Sequence, residues 1–202
     1  MFTGLVQAVG EVVAATRSES GRRLVIDLGG WPHRPEAGDS IAIDGCCLTA
    51  AQAPDGTRLA FDAVPETLSR TTLEDLAPGS RVHLEHAVTA STLMGGHFVQ
   101  GHVDGVAGVD SISTADGWRV RLSPPSELMA YLAPKGSVCV AGVSLTIAEV
   151  SVAGGWFEVA LIPTTLELTT LGDLAVGSSV NLEADMLAKS AVHYLTHFAR
   201  RG

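Results

Sequence analysis

Pro65–Ser80 reads PETLSRTTLEDLAPGS, and Pro163–Ser178 reads PTTLELTTLGDLAVGS. Widening the comparison, an offset of 98 lays Val64–Glu85 over Ile162–Glu183 with 14 identities in 22 positions. Pro65/Pro163, Thr71/Thr169, Leu76/Leu174, Gly79/Gly177 and Glu85/Glu183 are among them. An offset of 97 lays SIAIDGCCLT from Ser40 over SVCVAGVSLT from Ser137. FTGLV from Phe2 echoes VQGHV from Val99 more weakly. Three motifs kept in order at one period mark a duplicated unit rather than shared turn chemistry. The chain is read as two copies of a domain of about 97 residues, joined near Met94–His97. Each copy is large enough for its own core.

Within each copy the apolar pattern has period two. Ile41–Asp44 and Cys47–Ala53 read as strands around a tight turn at Gly45. Arg23–Leu28, Arg58–Val64, Arg81–His86 and Ser179–Asp185 alternate in the same way. Gly- and Pro-rich breaks separate them, as in GGWPHRPEAGD from Gly29 and APGS from Ala77. Short strands with frequent turns predict an all-β fold of two small closed barrels, a form that removes exposed sheet edges. Short helices are expected within Thr67–Leu76, capping a barrel end, and at Ser126–Leu132. The tail differs: Leu187, Ala191, Tyr194, Leu195 and Phe198 fall at helical spacing, with Arg200 and Arg201 where a helix C-terminus favours cations. The predicted units are 1–96 and 97–186, the two barrels, and 187–202, a helix whose apolar stripe suits its own chain or, the favoured reading, a neighbouring subunit.

With 46% hydrophobic and 17% charged residues, a substantial core is expected. A net charge of -9 argues against nucleic acid, whose binding relies on neutralising phosphate. No apolar run approaches the ~20 residues that span a bilayer, so no membrane partner is expected. Gln7 and Glu11 interrupt the N-terminal apolar run, against a signal peptide. Cys46, Cys47 and Cys139 are an odd count with two adjacent, which fits free thiols in a cytoplasmic protein. There is no CxxC, and His97 and His102 have no evident third ligand, so no metal is predicted.

MFTGLV from Met1, GCCLT from Gly45, GGHFVQGHVDG from Gly95, GVSLT from Gly142 and the twofold TLxxTTLxDL segment together resemble the lumazine-binding two-barrel family of riboflavin synthase alpha chains. The likeness runs from Met1 to about Lys189. It implies two tandem six-stranded Greek-key barrels and a C-terminal α-helix in a homotrimer held by those helices. The implied activity is a dismutation of two 6,7-dimethyl-8-ribityllumazine molecules. A four-carbon unit moves between them, giving riboflavin and 5-amino-6-(D-ribitylamino)uracil. No cofactor or metal is implied, and association with lumazine synthase is possible in the family. Two similar pockets, one from each repeat and facing each other across subunits, would pair two copies of one molecule.

The chemistry needs proton transfers and a nucleophile, tasks for modest acids and bases. His102 is the first acid/base candidate because imidazole titrates near neutrality, though a turn histidine bonding backbone is the plainer role. His97, at the junction, reads equally well either way. Ser144 and Thr146 match Cys47 and Thr49 by repeat position, and their side chains can bond a ring or orient water. Cys46 points to the other side of its strand and reads as core. The resemblance makes Asp185 a catalytic support; a solvated carboxylate is the alternative. Lys135, Thr67 and Thr165 suit a ribityl chain, with Pro65 and Pro163 setting the turns before the threonines. Phe2 and Thr3 are expected to touch a neighbouring site. The resemblance adds Gly4, Leu5 and Val6; Ser40 and Leu48; Asp62, Ala63, Val64 and Glu66; Gly101 and Val103; Leu145; and Ile162, Thr164, Leu166 and Glu167 as ring- or chain-binding positions.

Three positions depart from the family pattern. Asp44 stands for an asparagine, Ala141 for an acidic residue, and Leu168 for a basic one. Ala141 is expected to loosen the turn presenting Ser144. A non-catalytic lumazine or flavin carrier is the rival reading. Such a protein would be degenerate in its second half, whereas GVSLT, His102 and Asp185 are kept. A flavin oxidoreductase would need a nicotinamide domain with GxGxxG opening a helix, and that motif is missing.

Overall fold

The computed structural model describes residues 1–199; Arg200 and Arg201 lie outside the described residues. The first half carries β1 (Ala8–Ser18), β2 (Gly21–Asp27), β3 (Ser40–Ile43), β4 (Cys46–Thr49), β5 (Arg58–Ala63), α1 (Pro65–Arg70) and β6 (Arg81–His86). The second carries β7 (Gly105–Ser113), β8 (Trp118–Ser123), β9 (Ser137–Val140), β10 (Val143–Ser151), β11 (Trp156–Leu161), α2 (Pro163–Leu168) and β12 (Ser179–Ala184). Helix α3 (Met186–His197) follows. A 3₁₀ turn after each short helix, at Thr72–Glu74 and Thr170–Asp173, completes the repeated segment. Ser126–Leu132 forms its helix as a 3₁₀ turn over Ser126–Tyr131.

All strand pairing is antiparallel, in the same Greek-key order in both halves. The second half is a closed barrel. The first is a six-stranded sheet whose outer strands, β4 and β5, meet at a single bridge, Ala50 to Phe61. The expected strand Cys47–Ala53 therefore ends early. After Thr49 the chain turns into the Pro-containing AQAPDG, whereas β10 continues past a bulge to pair with β11.

Alternation sorts the side chains as the sequence predicts. Leu24, Ile26, Ile41, Ile43, Phe61 and Leu84 fill the first interior; Leu122, Val138, Ile147, Phe157 and Leu182 fill the second. Strands β6 and β12 are buried on both faces. Their outward residues His83, Glu85, Asn181 and Glu183 face the other half; His83 and Asn181 find hydrogen-bond partners there, and Glu85 and Glu183 find theirs on their own half's arm as it crosses to it.

The halves meet around a pseudo-twofold axis. Hairpin turns β3–β4 and β9–β10 stack backbone to backbone, so that a Cβ on Gly45 would lie 2.6 Å from the Gly142 nitrogen. His83 bonds through Nδ1 to the Ala141 carbonyl (2.6 Å) and through Nε2 to the Thr170 amide (2.8 Å). Its counterpart Asn181 donates to the Asp44 carbonyl (2.9 Å) and accepts from the Thr72 amide (2.7 Å). A histidine and an asparagine thus do one job on the two sides. Among the described residues no helix is long and apolar enough to cross a membrane.

Candidate functional site

Each half begins with an arm that leaves its own barrel. Phe2 and Val99, equivalent residues, pair with each other in an antiparallel bridge, with hydrogen bonds of 2.7 and 3.2 Å. Beyond the bridge the arms part. The Gly4 carbonyl accepts from the Ser144 amide in the second half (2.7 Å). The Gly101 carbonyl accepts from the Cys47 amide in the first (2.8 Å). Both glycines have left-handed backbones, φ +75° and +78°. A Cβ on Gly4 would lie 2.7 Å from Ser144 Cβ, and one on Gly101 would lie 2.6 Å from Cys47 Cβ. Only glycine fits this conformation at this separation.

The second-half cleft, of about 340 Å³, is thus built from both halves. Gly4, Leu5 and Val6 come from the arm, Val143 and Ser144 from β10, and Ile162, Thr164, Thr165 and Leu168 from α2 and its entry. Ser144 Oγ lies 2.7 Å from His97 Nδ1. His97 Nε2 is buried with no partner among the described residues. Burial pushes the His97 imidazole below its ordinary value, and nearby Asp185 opposes that shift. A neutral imidazole on a hydroxyl can take its proton, the arrangement that activates a serine or moves a proton to bound substrate.

In the first half the Gly101 carbonyl joins the arm to Cys47 on β4, and by repeat equivalence His102 and Val103 of the arm and Val64, Glu66 and Thr67 of α1 and its entry correspond to the lining of the second-half cleft. This side is more charged. Glu66 and Arg70 form an i,i+4 ion pair at 2.5 Å where the second half has Thr164 and Leu168. Leu168 thus differs from Arg70 together with Thr164 from Glu66, and among the described residues no ion pair of this kind forms on α2.

A lumazine binding domain model matches residues 3–87 and again 100–185. This chain belongs to the lumazine binding domain family. Riboflavin synthase of Mycobacterium tuberculosis (strain ATCC 25618 / H37Rv) is 45% identical over 192 residues, covering 94% of this chain and 95% of that protein. That of Bacillus subtilis (strain 168) is 38% identical over 200 residues, covering 96% and 90%. Among solved structures, LumP complexed with riboflavin superposes with a TM-score of 0.79 at 28% identity, over 91% of this chain and 99% of LumP. LumP with 6,7-dimethyl-8-(1'-D-ribityl) lumazine gives 0.78 at 26%, with the same coverage.

The lumazine-binding fold places the other predicted residues as follows. His102 is exposed on its arm. Ser40 and Thr49 pair across β3 and β4, on the Cys47 face; Thr146 and Ser144 share the matching face of β10. Leu48 and Leu145 point into the barrel cores, as do Ala63 and Cys46. Burial pushes the Cys46 thiol up to about 12, which leaves Cys47, half-buried, as the more available thiol of the pair. Phe2 and Thr3 are buried between the halves, so they anchor the arm and present no surface to a ligand. Asp62 is exposed and pairs with Arg23 at 3.3 Å. Lys135 is exposed, with φ +68°, in the turn before β9. Thr165 and Thr67 offer their carbonyls to the Thr169 and Thr71 hydroxyls. Pro163 and Pro65 open the helices, and Leu166 and Glu167 continue α2. Asp185 caps α3 through the Leu187 amide (2.8 Å). No group of three or more His, Cys, Asp or Glu is placed to hold a metal among the described residues.

His97 is the residue whose place the sequence left open. Its repeat counterpart would fall before Met1, so the internal comparison that singled out Ser144 had nothing to set beside it. The adjacent GlyGly pair was the available signal.

Proposed function

We infer that this chain is a riboflavin synthase that converts two molecules of 6,7-dimethyl-8-ribityllumazine into riboflavin and 5-amino-6-(D-ribitylamino)uracil. The carrying observation is the pair of equivalent, unequal surfaces, each completed by an arm from the opposite half. One reactant sits at the Ser144 cleft and the other on the Cys47 face. Main-chain groups of Gly4–Val6 and Gly101–Val103 read the ring edges, and Thr165 and Thr67 lie where the ribityl chains run. Ser144 is the nucleophile or proton donor at its site, and His97 takes its proton. His102 and Asp185 serve the later proton transfers, His102 from the exposed tip of its arm. Holding both reactants in one geometry supplies much of the rate.

Both surfaces are open in one chain, so each needs a facing surface to exclude water. A homotrimer, first barrel against second barrel of the next chain, supplies it. The exposed face of α3, including Leu187 and Leu195, is the contact that would hold that trimer. The free cysteines fit a cytoplasmic location. Association with lumazine synthase would bring the substrate to this surface.

The likeness to LumP supports a second reading, binding without turnover. Ser144 bonded to His97 in the second half speaks for chemistry there. Incubation with 6,7-dimethyl-8-ribityllumazine alone decides between them. One riboflavin formed for every two lumazines consumed, lost in Ser144→Ala and His97→Gln, is expected. Tight binding with no turnover would establish the carrier.

A further inference from the structure

Two buried carboxylates have no part in either surface as described. Glu85 on β6 is 4% exposed and Glu183 on β12 is 2% exposed. Neither has a basic side chain in hydrogen-bond contact among the described residues; both face main-chain amides of the crossing arms. Glu85 accepts from the Thr3 amide (2.6 Å), the Thr3 hydroxyl (2.7 Å) and the Gly4 amide (3.0 Å). The Thr3 hydroxyl in turn accepts from the Leu5 amide (3.1 Å). Glu183 accepts from the amides of Gln100 (2.6 Å), Gly101 (2.9 Å) and His102 (2.9 Å).

Three donors converge on each carboxylate. Only an acceptor-only group satisfies all of them, because an amide would aim its own N–H at one of the incoming N–H groups. The same stretches of arm then meet the opposite half. Gly4, held by Glu85 of the first half, bonds Ser144 of the second. Gly101, held by Glu183 of the second half, bonds Cys47 of the first. Each carboxylate is therefore one bond from the segment lining the other half's surface.

We propose that Glu85 and Glu183 are positioning residues that act crosswise: Glu85 orders the second-half cleft at Ser144, and Glu183 orders the first-half surface at Cys47 and His102. The proposal rests on the assignment of those two surfaces to the reactants. It makes neither site the property of one barrel. Burial pushes both carboxylates above their ordinary range, and the converging amides oppose that shift.

The test is thiol alkylation by iodoacetamide in the full-length protein, with the labelled residue assigned by peptide mass spectrometry. Cys46 and Cys139 are buried and serve as internal controls. Glu183→Gln is expected to raise labelling of Cys47 roughly tenfold, the effect of losing one charge-assisted hydrogen bond, and Glu85→Gln to leave it unchanged. In a Ser144→Cys background the pattern reverses: Glu85→Gln raises labelling at position 144, and Glu183→Gln does not. Both single variants lower kcat by roughly tenfold to a hundredfold with a smaller change in KM, because the ring is still bound but misplaced. Glu85→Asp and Glu183→Asp, which keep the acceptor-only group, recover part of the loss. Should the Gln variants fail to fold by circular dichroism, Thr3→Ala removes two of the arm's bonds and is expected to raise labelling at position 144 alone. Labelling that rises in the carboxylate's own half, in both halves or in neither overturns the proposal. Crosswise labelling with unaltered turnover keeps the crosswise ordering and overturns the assignment of the surfaces to the reaction.

Discussion

Ala141 sits at φ +47°, a left-handed position in the two-residue hairpin turn that leads to Ser144. Asp44 holds the equivalent place at φ +45° and uses its carboxylate to accept the His83 amide at 2.8 Å. Alanine has no such bond and pays the steric cost of that backbone, ~1–2 kcal/mol. Ala141→Asn is expected to raise stability by about 1 kcal/mol, read as an increase of roughly 2–4 °C in Tm. The sequence flagged Ala141 as a loosened turn. It could not show that His83 grips the Ala141 carbonyl from the other half and holds the turn in place.

His97 carries the pH behaviour. Its folded value lies below the ordinary 6.5, chiefly through burial. Between those two values the unfolded chain binds the proton and the folded chain does not, so acidification through that window lowers stability. It also removes the base that serves Ser144. The acid limb of kcat/KM is therefore expected below pH 6.5. Asp185→Asn removes the charge that opposes the shift, and should move that limb to still lower pH. An unmoved limb would show that another group sets it.

At the scale of elements, helix α3 is docked by polar contacts and left apolar outside. Asp185 caps its first turn, and Lys189 reaches Asp104 with bonds of 2.9 and 3.0 Å. Leu187, Tyr194, Leu195 and Phe198 are each at least 60% exposed. Leu195→Glu is expected to give monomers by sedimentation equilibrium, with far-UV circular dichroism unchanged and turnover lost. A trimer that survives would place its contact elsewhere. The helix was legible because its apolar spacing of three and four belongs to no strand. Strand β1, the longest, was not picked out, since Ala8–Ser18 mixes its faces around a bulge between Val12 and Ala14. Strands β6 and β12 were legible as strands but not as doubly buried. Period two reports that a strand has two faces, while what covers the outer one is decided by chain far away in sequence.

The whole molecule behaves as one unit because its halves trade parts. The repeat announced two barrels, and while most other residues of the two surfaces came from the family resemblance, it set Ser144 and Thr146 beside Cys47 and Thr49. That comparison also hid the crossing. Identical motifs say which residues are equivalent, and a contact between residue and counterpart leaves no mark in the alignment. The His83 and Asn181 bonds join the halves through groups with almost no access to water. A single cooperative transition is expected in calorimetry. His83→Ala should lower stability by about 2–4 kcal/mol, through the lost ring and the donors and carbonyl left unpaired. Two resolved transitions would show barrels that unfold independently.

The exchanged arms also obey a symmetry. The arm bridge, the Gly4–Ser144 and Gly101–Cys47 bonds and the His83 and Asn181 bonds all recur with the two halves exchanged, the pattern of two identical chains around a twofold axis. Seen so, the two halves meet as the protomers of a symmetric dimer do, and the stretch from Ala87 to Met94 links them. Leu93 in that link is 87% exposed. Proteolytic cleavage there should release nothing: two fragments would travel together through gel filtration, each still lending its arm to the other.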